Sequence, residues 1–264
     1  MPYSSSKSKL QITIPMKSRT LLLLIVTSIS LTSCMSLALN LIGVYDPEAT
    51  TISFTNEDRS VVFIPMKHIA LKEFYTNVGR KADSLQKEGY TVFLESVSIK
   101  DSLTKPEKDT LELKFRKVLG THVSKKGYLD TINGKLMGKK YNNKKGIVNQ
   151  PRYHKMGIDT SNARVVDVPA NVLLKQYEAE FGKIVLTDCD YNTKLEDKYK
   201  CGKLPKDNRD KMVRTYREKH LAEAIMSEPN KKVVVIFGAL HEEGLMKELK
   251  ALDSKWKYVE KKKK

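Results

Sequence analysis

The alternation of apolar and polar positions along the chain predicts an α/β fold. Short runs rich in β-branched and aromatic residues predict strands at Thr51–Phe54, Val61–Ile64, Tyr90–Glu95, Val165–Pro169, Lys232–Phe237 and Trp256–Val259. Apolar residues recurring at spacings of three and four predict helices at Leu71–Gln86, Thr110–Leu119, Asn171–Glu180, Asp207–Met226 and Glu242–Leu252. Because strands and helices alternate, we expect a mixed, partly parallel sheet flanked by helices.

The N-terminus has the pattern of an exported lipoprotein. A short basic segment beginning at Met16 precedes an apolar run from Leu21, and Leu31-Thr-Ser-Cys34 resembles a bacterial lipobox. We therefore expect a signal peptide over residues 1–33, a lipidated Cys34, a tether over 34–50 and one α/β domain over 51–264. An uncleaved membrane anchor over Leu21–Val44 is the alternative. Either interpretation places the domain in the bacterial cell envelope, extracytoplasmic and attached to the lipid bilayer.

The charge is strongly basic, with 48 Lys and Arg against 31 Asp and Glu, a formal net charge of +17. Many of the bases lie in a basic insertion near residues 120–150, rich in Lys, Gly and Asn, which predicts an exposed segment. Such a charge favours anionic partners, either nucleic acid or anionic lipid. Because the export signal keeps the chain away from nucleic acid, we expect no nucleic-acid partner.

Two cysteines remain if Cys34 carries lipid, namely Cys189 and Cys201. An even number in an exported chain indicates a disulfide that closes a short polar loop. Two free thiols are the alternative. A zinc site is disfavoured because neither cysteine has a His or Cys at ligand spacing.

The candidate chemistry lies in two strand–His–helix units. An apolar strand, three further residues and a histidine precede a helix at Val61–His68 and again at Val234–His241. Ligands of α/β sheets bind at the carboxyl ends of strands, where Glu95 also follows a predicted strand. Two His and one carboxylate suit a catalytic divalent metal, and such a metal activates water. The units can share one ion only if their two strands are parallel and close neighbours in the sheet.

Simpler interpretations of these residues stay open. Each histidine alone is typical of a hydrogen-bonding loop residue, and Glu95 alone is typical of a helix cap or a surface ion pair. The His241-Glu-Glu segment is not an HExxH zinc motif, because Leu245 stands where that motif has its second His. The remaining histidines lie in basic loops or within a predicted helix and have no assigned role: His122, His154 and His220.

Together these segments resemble the TraB/GumN family, which is related to the ChaN lipoproteins and the erythromycin-esterase fold. The family's two GxxH motifs correspond to Pro65–His68 and Gly238–His241, its strand-end acid to Glu95 and its helix arginine to Arg217. Pro65 departs from the family's glycine. Since proline fixes φ and lacks an N–H, the turn before His68 must differ from the family pattern.

The resemblance implies a membrane-tethered, metal-dependent hydrolase, most similar to the peptidase-like Tiki proteins, with a peptide or protein substrate. It implies His68, His241 and Glu95 as ligands of manganese, cobalt or zinc. Glu95 would be a ligand or a general base, and Arg217 would stabilise an oxyanion or orient a carboxylate. The alternatives are a haem- or ligand-binding lipoprotein of the ChaN type, with Tyr153, His154 or Tyr177 as axial ligands, and a non-catalytic protein.

Overall fold

A computed structural model describes residues 35–99, 102–121, 127–202 and 204–259 of the 264-residue chain. The predicted signal peptide and Cys34 lie outside the described residues. The chain divides into two units, Met1–Val44 and Tyr45–Lys264. In the first, residues 35–41 are helical. No helix among the described residues is both long and apolar enough to cross a membrane.

The second unit is built on one mixed sheet. The strands are β1 (Ile52–Thr55), β2 (Ser60–Met66), β3 (Ile69–Ala70), β4 (Thr91–Leu94), β5 (Leu129–Asp130), β6 (Lys135–Leu136), β7 (Lys139–Lys140), β8 (Val148–Asn149), β9 (Ala163–Val165), β10 (Lys232–Gly238) and β11 (Lys257–Tyr258). Six of them form the main sheet in the order β11-β1-β2-β10-β4-β9. The strands β2, β10, β4 and β9 are parallel, whereas β1 runs antiparallel to both of its neighbours, β2 and β11.

Helices cover both faces of this sheet. They are α1 (Lys72–Lys87), α2 (Lys105–Leu119), α3 (Ala170–Phe181), α4 (Asp188–Asn192), α5 (Lys206–Asp210), α6 (Tyr216–Ser227) and α7 (Glu242–Leu252). A π-helical turn at Lys211–Thr215 joins α5 to α6, so the helix predicted over Asp207–Met226 has a wider turn inside it. The predicted mixed, partly parallel sheet flanked by helices is confirmed.

Successive side chains of the central strands point to opposite faces of the sheet and so contribute to two separate hydrophobic cores. On β2, Val62 and Ile64 face α1, whereas Val61 and Phe63 face the opposite core, which also receives residues of α6 and α7. Strands buried on both faces need the continuous apolar runs seen in the sequence. The prediction that Val61–Ile64 and Val234–Phe237 are parallel neighbours is confirmed, since β10 pairs with β2 along its length.

A third apolar cluster packs α2 against α3 and the π turn. Beside it, the structure joins Cys189 to Cys201 by a disulfide. The neighbouring Asp190 is fully buried and accepts hydrogen bonds from Lys117 Nζ at 2.8 Å and Tyr199 Oη at 2.6 Å. These charge-assisted bonds lower the pKa of Asp190 despite its desolvation, and they hold the disulfide-bonded segment against α2.

Candidate functional site

The site begins where two parallel strands end side by side. Leu94 of β4 lies opposite Ile236 of β10, so Glu95 and the end of β10 meet at the same edge of the sheet. Glu95 N donates to Ile236 O at 3.2 Å, and Gly238 N donates to Glu95 Oε2 at 2.6 Å. A Cβ at position 238 would lie 3.4 Å from that oxygen, so the backbone of Gly238 is in van der Waals range of the carboxylate.

Arg217 connects this carboxylate to a second, fully buried one. Its Nε and Nη2 atoms donate to the two oxygens of Asp167, each at 2.8 Å, and Nη2 also donates to Glu95 Oε1 at 2.5 Å. Its Nη1 donates to Val213 O at 3.1 Å, within the π turn that precedes α6. Only a planar guanidinium can make this bidentate pair and still reach a second acid.

His241 lies on the other side of the guanidinium. Its Nε2 is 3.1 Å from Arg217 Nη1, and its Nδ1 is 3.2 Å from Glu218 Oε1. Arginine has no acceptor, so Nε2 carries the lone pair and Nδ1–H donates to Glu218. The contacts therefore assign the tautomer with its hydrogen on Nδ1, which Glu218 holds in place, an arrangement often seen for functional histidines.

Gly244 on α7 makes room for the Glu218 carboxylate. A Cβ at this position would lie 2.0 Å from Glu218 Oε2, which is a severe overlap. The close approach of α6 and α7 thus depends on the absence of a side chain here.

The buried network holds Glu95 in its ionised form. Burial by itself raises the pKa of Glu95, but the charge and hydrogen bond of Arg217 and the Gly238 N–H outweigh it, so the pKa is lowered. The same pairing with Asp167 and Glu95 raises the pKa of Arg217 against the effect of its own burial. The cation Arg217 therefore faces Asp167 and Glu95 directly and Glu218 through His241. Because the carboxylates outnumber the cation, the cluster favours binding of a proton donor or of positive charge.

Glu95 also lines an open cavity of about 510 Å³. The aromatic side chains on its wall are His68, Tyr128, Tyr153 and His154. Tyr153 donates its O–H to Glu95 O at 2.9 Å, which ties this wall to the end of β4. Burial and then the charge of Glu95 raise the pKa of Tyr128, so its hydroxyl keeps its proton as a donor at neutral pH.

The cavity wall depends on a close contact of α1. A 3₁₀ turn at Tyr153–Met156 packs on Gly79, where a Cβ would lie 1.6 Å from Met156 O. Because that atom belongs to the backbone, a side chain at position 79 would push the whole turn outward. Gly79 thereby positions Tyr153 over the cavity.

His68 occupies a different place from His241. It is exposed at the cavity wall, where its Nδ1 lies 3.3 Å from Gln150 Oε1 and its ring stacks on Tyr128 at 5.0 Å. The structure thus brings Glu95, Arg217 and His241 into one network and places His68 on the cavity that Glu95 lines. The 3₁₀ turn Ala239–His241 follows β10 directly and leads into α7, whereas β3 separates His68 from α1.

The predicted metal ligands do not fit an ion in this arrangement. Both oxygens of Glu95 and both ring nitrogens of His241 already have partners, and the guanidinium of Arg217 lies between the two groups. Within the described ranges, no group of three or more His, Cys, Asp or Glu side chains is arranged to hold a metal. A divalent cation would have to displace Arg217, so a metal at this site stays a prediction of the sequence pattern and of the resemblance.

The candidate haem ligands lie in different surroundings. Tyr153 has its hydroxyl bonded to Glu95 O, Tyr177 is buried in the cluster between α2 and α3, and His154 is exposed on the cavity wall. His220 is exposed on α6, and His122 lies outside the described residues.

Sequence reasoning missed Asp167 and the role of Glu218. Asp167 lies two residues past the end of β9 and inside the strand predicted at Val165–Pro169, and Glu218 is adjacent to Arg217. The contributions of Tyr128 and Gln150 depend on the fold of the basic insertion, for which the sequence offers no periodic pattern.

The chain matches no family model, and no curated protein or solved structure matches it either.

Proposed function

We propose that the protein is an extracytoplasmic, membrane-tethered hydrolase of the TraB/GumN type that acts on acyl compounds, peptides included. The observation that carries the proposal is an ionised carboxylate, Glu95, held on both oxygens at the wall of a cavity at the carboxyl ends of parallel strands. Each carboxylate oxygen accepts more than one hydrogen bond, so Glu95 keeps acceptor capacity for a water in the cavity.

The proposed reaction is general-base hydrolysis. Glu95 takes a proton from the water, the water oxygen bonds to the carbonyl carbon of the substrate, and the proton then passes to the leaving group as its bond to carbon breaks. Arg217 orients Glu95, which is the second of the two roles inferred for it from the sequence. His241 and Glu218 in turn hold Arg217, so one strand–His–helix unit supports the base.

The other predicted strand–His–helix unit, Val61–His68, contributes His68 to the cavity wall. Tyr128 is stacked on His68 there, and its O–H group is suited to a developing oxyanion. No step passes through a metal, because Glu95 and His241 are engaged by Arg217, Gly238 and Glu218, and His68 contacts Gln150 instead of either of them.

A hydrolysis screen with matched variants tests the proposal. The full-length protein in mild detergent is assayed with fluorogenic acyl esters and peptide amides, next to Glu95→Gln and the control Glu223→Gln, an exposed acid on α6. Loss of a general base lowers the rate by about 10²- to 10⁴-fold, whereas the control keeps full activity. Hydrolysis that is equal in all three proteins, or absent from the whole panel, would overturn the assignment.

Metal content is measured on the same samples. The geometry predicts activity without a stoichiometric metal. If the wild type instead holds about one metal ion per chain and His241→Ala holds none, the result would support the predicted metal site.

A further inference from the structure

The basic insertion ends in an exposed double hairpin formed by β5, β6 and β7. Leu129 and Leu136 lie opposite each other and are both buried. The side chain of Asn149 accepts from Leu129 N and donates to Leu129 O, at 2.8 and 2.7 Å. The hairpin is therefore fixed by its inner side, and its outer side is presented on a rigid base.

Two large apolar side chains stand on the outer side. Ile132 is 87% exposed and Met137 is 70% exposed. Met137 and Gly138 form the two-residue turn between β6 and β7, with φ values of 50° and 78°. Such turns favour Asn-Gly, and a methionine in this left-handed region is strained. The fold itself thus gains nothing from methionine at this turn.

Lysines surround these apolar tips. Residues 127–150 contain five lysines and one acid, so the segment carries a formal charge of +4. Lys135 lies opposite Lys140 across the β6–β7 pair and opposite Asp130 across the β5–β6 pair, so the single acid of the segment faces Lys135 from one side only. Like charges directly opposite each other destabilise a hairpin unless anions lie between them. The hairpin surface, defined as Ile132, Lys135, Met137, Lys139 and Lys140, is therefore preorganised for an anionic partner.

We propose that the hairpin surface docks on a bilayer containing anionic lipids. Lysines bind the phosphate region while Ile132 and Met137 enter the boundary with the acyl chains, as in other interfacial segments. A soluble polyanion would satisfy the lysines but would leave the two apolar side chains in water. Docking also brings the cavity close to the membrane, because Tyr128 and Gln150 of its wall belong to the same insertion.

A site-specific probe tests docking in the full chain. The chain has one tryptophan, Trp256, which is 1% exposed and gives a constant background. The variant Met137→Trp is reconstituted in vesicles of phosphatidylcholine with and without phosphatidylglycerol. We expect a shift of emission to shorter wavelength, and quenching by brominated lipid, that both require phosphatidylglycerol. The control Val185→Trp replaces another side chain that is 70% exposed, and no such change is expected there.

The contribution of the hairpin lysines is tested with two matched triple variants, each made in the Met137→Trp background. Replacing Lys135, Lys139 and Lys140 by Gln lowers partitioning of the unlipidated chain to anionic vesicles by about a hundredfold, at roughly fivefold for each lysine. The control replaces three exposed lysines outside the hairpin, namely Lys219, Lys247 and Lys250. A similar loss in both triple variants would show a non-specific charge effect and overturn the proposal.

Met137→Asn separates docking from folding. Asparagine suits the left-handed turn, so the variant keeps or raises the melting temperature while its binding to anionic vesicles weakens. A methionine kept only for structure would give the opposite result, with lower stability and unchanged binding. An equal emission shift of the Met137→Trp probe with soluble polyglutamate would indicate an anionic polymer as the partner. An equal shift on addition of more protein alone would indicate a second copy of the chain. Either result would refute docking on lipid.

Discussion

Replacing Arg217 by Gln is expected to destabilise the fold far more than an ordinary change of a charged residue. The variant leaves Asp167 and Glu95 without their cation, and the Asp167 side chain has no exposure to water. Removing one partner of a buried ion pair costs about 3–5 kcal/mol, because the remaining charge is buried without compensation. The free energy of unfolding should therefore fall by an amount in this range.

The assay is chemical denaturation of the full chain, followed by the fluorescence of the single Trp256 and by circular dichroism. Arg214→Gln is the matched control, since Arg214 lies one turn earlier and contacts the partly exposed Asp210 at 3.4 Å. Surface pairs of this kind contribute about 0–1 kcal/mol. A loss in Arg217→Gln no larger than that of the control would refute the account of the buried network.

The pH dependence provides a second test of the same network. The pKa of Glu95 is lowered in the folded protein from its ordinary value of 4.5. A lowered pKa contributes stability above that ordinary value, and the contribution is lost as the pH falls through the folded pKa. Arg217→Gln removes the cause of the shift, so the variant should lose less stability than the wild type below about pH 4.5. Parallel acid titrations of the two proteins would contradict this.

Three further predictions concern other parts of the molecule. Gly79→Ala should cost about 1–3 kcal/mol and reduce hydrolysis, because its Cβ overlaps Met156 O; unchanged activity would argue against the positioned cavity wall. Replacing Cys189 and Cys201 by Ser should cost about 2–3 kcal/mol, and two freely alkylated thiols in protein from its native compartment would refute the disulfide. Cys34→Ala should abolish lipid labelling and leave the precursor uncleaved, and normal labelling would refute the lipobox.

The sheet could be predicted from the sequence because its strands are buried on both faces. The runs Val61–Ile64 and Val233–Phe237 consist entirely of apolar residues, which is typical of strands buried on both faces. Their adjacency follows once both units are placed in one parallel sheet. The ends of the helices were harder to predict from the sequence. The helix predicted to begin at Thr110 begins at Lys105, where Thr104 and Glu107 form a capping box.

The site was predictable only in part for a physical reason. Strand ends identify Glu95, and the family resemblance points to Arg217, but the partner of an arginine depends on how layers pack. Asp167 approaches Arg217 only because β9 lies next to β4, at the end of the sheet order. Pairing within the buried network also decides which groups remain available to a ligand, and composition cannot reveal that.

The central claim, that Glu95 activates water for hydrolysis, is tested most directly by isotope incorporation. The substrate found in the screen is turned over in ¹⁸O-labelled water by the wild type, by Glu95→Gln and by Glu223→Gln. The account predicts one ¹⁸O atom in the acid product of the wild type and of Glu223→Gln, with turnover lost in Glu95→Gln. An unlabelled acid product, or labelled product formed at the wild-type rate by Glu95→Gln, would contradict it.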